Sequence, residues 1–161
     1  KSVLIYHKYA NINKTIAGII EEILENAEAD STDVKNIYYG RYSHKKFINV
    51  LSSSFLTFYI SDRPESQGLA LQECWSMNVP TAVLQQDYFI KGKILVPARA
   101  SPYLNEATGI EFRERKDIRG IYLKYANKNF VNESPREWME ENLSDILCAK
   151  ALTDLYKLET W

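Results

Sequence analysis

Short runs rich in β-branched and aromatic residues alternate along this chain with stretches whose apolar residues recur at helical spacing. That alternation is the strongest constraint on its fold. Ser2–Tyr6, Val34–Tyr39 and Phe55–Ile60 read as strands. The third is almost wholly apolar, which suits a strand covered on both faces. Between them, Lys14–Ala29 sets Ile16, Ile19, Ile20, Ile23 and Leu24 at helical intervals, and Ser43–Ser53 does the same with Phe47, Val50 and Leu51. Ser43 is placed to act as an N-cap. A helix over Gly68–Met77 and a strand over Val79–Gln85 continue the pattern, which loosens through Asp87–Ala100. Gly109–Phe112 then reads as a short strand and Asp117–Ala126 as a helix. Ser134-Pro135-Arg136-Glu137 reads as a helix start with a capping box. A last helix, Ser144–Leu158, carries Ile146, Leu147, Leu152 and Leu155 as its apolar face. Strand–helix alternation with buried strands predicts an α/β fold, a Rossmann-like open parallel sheet with helices on both faces. In such folds ligands sit beyond the carboxyl ends of the strands.

Length and apolar content, 161 residues and 45% hydrophobic, suit one domain spanning 1–161. A net charge of -1 provides no bulk field for nucleic acid or an anionic surface, so any anion site must be local. Cys74 and Cys148 lie in apolar stretches without metal-ligand spacing, and only two histidines accompany them. Neither a metal nor a disulfide framework is expected. No apolar run approaches the roughly 18 residues that span a bilayer, and the expected setting is cytoplasmic. The chain opens on Lys1 and runs at once into a strand, so it is expected to be a piece of a longer protein.

One turn stands out against this frame. Beyond the apolar strand Phe55–Ile60 comes Glu65-Ser66-Gln67-Gly68-Leu69-Ala70-Leu71-Gln72-Glu73. Gly68 at a helix start lets a ligand approach bare backbone, and the unpaired N–H groups of a helix N-terminus attract anions such as a diphosphate. Glu73 falls about one and a half turns further on, where a carboxylate can accept two hydrogen bonds from the neighbouring hydroxyls of a ribose. Glu65 would face whatever hangs from the other side of the diphosphate. A glutamate before a helix is also favoured by the helix dipole alone, by about 0.3–1 kcal/mol.

The segment Glu65–Glu73 resembles the Glu-x7-Glu signature of retaining glycosyltransferases of the two-domain GT-B type, family four. Met77-Asn78-Val79-Pro80-Thr81 is similar to the small turn that follows this helix in the family, and the element order from Val3 to Gly109 is similar to its C-terminal, donor-binding half. The resemblance implies that Glu73 holds the ribose, that Glu65 contacts the transferred sugar, and that Ser66, Gly68 and Leu69 lie along the diphosphate or the sugar near it. It further implies a cationic pair after the first strand, for which Lys8 and Lys14 are the candidates. The family has Gly-Arg and Lys-Gly there, and Lys is a point charge rather than a fork. Gln67 stands where the family commonly has an aromatic residue. Arg41, in Gly40-Arg41-Tyr42-Ser43, is a candidate contact to phosphate or base, and Ser101, Tyr103 and Asn105 are candidate contacts from a loop that closes over the donor in the family.

The resemblance also implies a nucleotide-sugar donor, no metal, and an acceptor glycan, lipid or protein bound by an N-terminal domain outside this chain. Association with a membrane periphery would come through that missing part. The C-terminal helices, 135–161, are expected to cross back toward it. Two other readings compete: an epimerase-type GT-B enzyme, and a non-catalytic α/β binding module.

Overall fold

The computed structural model describes residues 1–9, 11–85, 87–127 and 134–158. Its elements run β1 (Ser2–Lys8), α1 (Lys14–Ala29), β2 (Asp33–Tyr38), α2 (His44–Leu51), β3 (Ser54–Ser61), α3 (Leu69–Ser76), β4 (Thr81–Leu84), β5 (Tyr88–Lys91), β6 (Ile94–Pro97), β7 (Gly109–Phe112), α4 (Arg115–Ala126), α5 (Pro135–Asn142) and α6 (Asp145–Leu158). Five strands form one all-parallel sheet in the order β2-β1-β3-β4-β7, flanked by helices, so the α/β expectation holds. The chain steps outward from β1 to β2 and returns to β3 on the other side of β1. That reversal opens a crevice between the carboxyl ends of β1 and β3.

Period-two alternation divides the core into two layers. Val3 and Ile5 of β1, with Leu56, Phe58 and Ile60 of β3, pack under Ile16, Ile19 and Ile23 of α1 and Ile118, Tyr122 and Tyr125 of α4. Leu4, Tyr6 and Tyr59 point to the opposite face, against Phe47 and Leu51 of α2 and Leu71, Cys74 and Trp75 of α3. Each such aliphatic side chain contributes about 1.5–3 kcal/mol by leaving water. Trp75 is fully buried and its indole N–H donates to Thr81 Oγ1 at 3.0 Å. Its ring meets that of Trp138 edge-on at 5.8 Å, which fastens α5 to α3.

Ser43 caps α2 as its position predicts, accepting the Lys46 N–H at 3.3 Å. Two expectations need correction. Ser134 does precede α5, with Pro135 at N1, but its side chain makes no capping hydrogen bond. The reaching-back carboxylate is instead at α4, where Asp117 accepts the N–H groups of Arg113 and Glu114, each at 3.0 Å, and starts that helix at Arg115. The loose stretch after Asp87 holds a separate antiparallel hairpin, β5–β6, closed by a two-residue turn with Gly92 at φ 65°. The apolar residues Ile146, Leu152 and Leu155 of α6 are exposed. Residues 159–161 of the expected C-terminal helical segment lie outside the described residues.

Gly109 opens β7 at φ 154°, and a Cβ there would come within 1.9 Å of the Thr81 carbonyl oxygen on β4. Gly120, inside α4, has open space where its Cβ would be. Gly109→Ala is therefore expected to destabilise by about 3 kcal/mol or more, since only backbone movement relieves that clash. Gly120→Ala is expected to stabilise by about 0.5–1 kcal/mol. Urea unfolding of the two variants checks the contrast.

Candidate functional site

Strand register brings the crevice residues together. Lys8, the last residue of β1, pairs with Ser61, the last of β3, and its carbonyl accepts the Asp62 N–H at 3.3 Å. The chain then turns tightly, with Ser61 Oγ accepting the Arg63 N–H at 3.1 Å. Two residues later Glu65 is anchored by its own N–H, which donates to the Arg99 carbonyl at 3.2 Å. Its carboxylate folds back over the strand ends. Oε1 accepts the Tyr59 hydroxyl at 2.9 Å and meets Lys8 Nζ at 2.5 Å. The pair is largely out of solvent, with the Glu65 side chain 9% exposed and the Lys8 side chain 24%. Lys8 Nζ also stands 4.7 Å above the Tyr39 ring, so an aromatic face backs the cation.

Gly68 makes the next move possible. It sits in the left-handed region at φ 68°, where a Cβ would come within 2.9 Å of Leu71 Cδ1. Its carbonyl accepts from Leu71 and Gln72, closing the first turn of α3. The first N–H groups of a helix have no partner within it, and Leu69 is 67% exposed. Glu73, one turn in, points toward the start of α2, where His44 Nε2 lies 2.9 Å from its Oε1.

A stack of tyrosines underlies both glutamates. Tyr59 lies parallel to Tyr6 with ring centroids 5.0 Å apart, and the Tyr6 and Tyr42 hydroxyls are 3.0 Å apart. Burial pushes the Tyr59 hydroxyl far above its ordinary range, and the adjacent Glu65 charge adds to the shift. Tyr59 therefore stays protonated and serves as donor to Glu65.

The expected site residues fall into distinct places. Lys8 and Arg41 line a pocket of about 340 Å³ with His7, Tyr38, Tyr39 and Arg63. Glu65 and Ser66 line a cleft of about 960 Å³ that shares Asp62 and Arg63 with the first and has Tyr88 and Ile90 as its far wall. Glu73 and Leu69 border a groove of about 450 Å³ between α3 and α5, beside Arg136. Lys14 stands apart, in a groove with Glu114 and Arg115 on the α1–α4 side. Ser101 is buried, its hydroxyl without a hydrogen-bond partner. Tyr103 is half-buried against the core on the α2–α3 side, and its carbonyl accepts the Asn105 amide at 3.2 Å.

Sequence reasoning missed Tyr59, Tyr39, His44 and Arg63. Only Tyr59 carried a signal, because a tyrosine within a buried strand needs a partner for its hydroxyl. His7 serves a supporting purpose. Nε2 donates to Asn36 Oδ1 at 2.7 Å and Nδ1 accepts the Tyr9 hydroxyl at 2.9 Å, while the ring stacks on Tyr38 at 4.3 Å. Burial lowers its pKa below the usual 6.5, so it stays neutral.

The arrangement sets a held carboxylate and a cation at one crevice, with the N-terminus of α3 three residues beyond Ser66 in the chain. Among the described residues, no group of three His, Cys, Asp or Glu side chains is placed to hold a metal ion, and no helix is long and apolar enough to cross a membrane. No protein-family model matches the chain, and no curated protein matches it.

Two outcomes are expected. Lys8→Met leaves the Glu65 carboxylate without its cation and should cost about 1–3 kcal/mol, whereas Tyr59→Phe removes one donor and should cost about 1 kcal/mol. Urea midpoints at neutral pH measure both, and an unchanged midpoint for Lys8→Met would mean that the pair contributes nothing. For His7, the unfolded chain takes up a proton near pH 6.5 that the folded protein resists. Stability is then complete above that pH and falls as pH drops through it. Melting temperatures between pH 7.5 and 5.5 should fall on that side, with a shallower slope in His7→Gln.

Proposed function

We propose that this chain is the donor-binding half of a GT-B glycosyltransferase, one that binds a nucleotide-diphosphate sugar and transfers the sugar with retention. The observation that carries the reading is the Glu65 carboxylate, fixed by Lys8 and Tyr59 in the β1–β3 crevice just before the open N-terminus of α3. In this reading the diphosphate lies at the Gly68 and Leu69 amides, where unpaired N–H groups favour anions. Glu73 accepts the ribose hydroxyls and Glu65 faces the sugar. Ser66 borders the same cleft as Glu65.

Transfer breaks the bond between the anomeric carbon and the diphosphate oxygen through an oxocarbenium-like state. The acceptor hydroxyl forms the new bond to that carbon, and its proton passes to the departing diphosphate oxygen. The demand on this chain is to stabilise charge developing on the departing diphosphate, for which fixed amides and cations are suited. Lys8 supplies that charge at the crevice, with Arg63 and Arg41 lining the adjoining pocket. Lys14 lies on another groove, so its part in the reaction would need the loop before α1 to rearrange. The acceptor, whether glycan, lipid or protein, belongs to an N-terminal domain outside this chain, and the expected setting is cytoplasmic. The isolated chain then binds nucleotide and transfers sugar poorly.

Calorimetry and thermal shift with UDP, GDP, dTDP, ADP and their sugars test the reading on wild type and Glu73→Ala. One nucleotide should stabilise the wild type, by roughly 2.7 kcal/mol at 100 times its Kd, and leave Glu73→Ala unmoved. Equal binding by the variant would remove the ribose role of Glu73. No binding by the chain either alone or within the full-length protein would overturn the reading.

A further inference from the structure

The β5–β6 hairpin shows more apolar surface to water than any packed element requires. Tyr88 is 55% exposed, Ile90 68%, Ile94 66% and Leu95 62%. The register pairs Ile90 with Leu95 and Tyr88 with Pro97, which puts those four on one face, while Ile94 lies on the other. A two-stranded hairpin on its own is marginal in water, and this one belongs to no larger sheet. It is held at its base, where the Ala98 N–H donates to the Asp87 carbonyl at 2.9 Å and the Asp87 carboxylate pairs with Arg113 at 2.5 Å.

Charge indicates what covers it. From Tyr88 to Arg99 there is no acidic residue, in a chain whose net charge is -1. Lys93 at the turn and Arg99 at the exit are both exposed. Apolar groups on both faces, with a lysine at the tip, do not suit a single flat protein surface, which would leave one face wet. A lipid interface can take up the tip and outer parts of both faces at once, and a lysine can bury its stem there while keeping its charge among headgroups. We propose that the β5–β6 hairpin inserts into the surface of an anionic lipid bilayer. Tyr88 and Ile90 also wall the cleft of Glu65 and Ser66, so insertion brings that cleft to the bilayer. The inference rests on the hairpin's exposure and charge, and it stands apart from the reading of the crevice.

Co-sedimentation with phosphatidylcholine vesicles, with and without phosphatidylserine, tests it. The wild type should bind the phosphatidylserine vesicles and release as salt is raised. Ile90→Ser/Leu95→Ser should lose that binding with an unchanged melting temperature, because both side chains are exposed. Lys93→Glu provides a second variant that leaves the apolar packing intact, and it should weaken binding. Leu152→Ser/Leu155→Ser, on the exposed α6, should bind as wild type. Failure of the wild type to bind, equal binding to both vesicle types, or loss of binding only in the α6 variant would each overturn the proposal. Dimerisation through the hairpin without vesicle binding would assign the face to a second copy and overturn it too.

Discussion

Everything at the site depends on β1 being locked on both edges and both faces. It pairs in parallel with β2 on one side and β3 on the other, and Ser2 through His7 are buried. A strand so enclosed has no freedom to slip, because a one-residue shift would turn Val3 and Ile5 out of one layer and Leu4 and Tyr6 out of the other. Lys8 emerges at the end of this fixed strand. A lysine is ordinarily a mobile charge with much rotamer entropy to lose. Here its first atoms are set by the sheet, Tyr39 backs its ammonium, and Glu65 receives it. The position of the carboxylate is therefore inherited from the core.

The tyrosines carry that order sideways. Tyr59 and Tyr6 lie on adjacent strands and stack, so the phenol that holds Glu65 is itself held by packing. Tyr6 in turn meets Tyr42, beside the start of α2, and His44 at that start reaches Glu73. The two glutamates are thus supported through one run of neighbouring side chains beneath the crevice. Cys74 lies in the same layer, fully buried, where desolvation pushes its thiol up to about 12 and keeps it inert.

The main sheet was legible in the sequence because each of its strands and helices carries its own period. β1, β3 and β4 bury nearly all of their residues, and α1 spaces Ile16, Ile19 and Ile23 on one side. Gly68 was legible as a helix start for a local reason, its left-handed conformation. The hairpin was not, since its strands are four residues long and their apolar runs, Tyr88–Ile90 and Ile94–Val96, are too short to mark a strand by period. In the crevice, Glu65 and Lys8 could be singled out by place in the chain, but their pairing across 57 positions is set by the β1–β3 register. That same register makes Lys8 a neighbour of Arg63 rather than of Lys14, although Lys14 is far closer in sequence. Spacing along the chain predicts contacts within one element, whereas the sheet order decides which loops meet.

The Lys8–Glu65 pair also bears on how a ligand would enter. The two charges neutralise each other, and a partly buried pair of this kind gives modest net stability once desolvation is counted. Under the proposed reading, an arriving diphosphate offers Lys8 a second anion. The ammonium can share its three donors between phosphate and carboxylate by rotating, without the fixed plane in which a guanidinium presents its donors. Tyr59 and the Glu65 backbone bond to Arg99 do not depend on Lys8, so Glu65 keeps its place as the cation shifts. Under that reading, a lysine rather than an arginine at this strand end has a physical consequence. It trades a bidentate grip on the phosphate for a charge that can move between two partners.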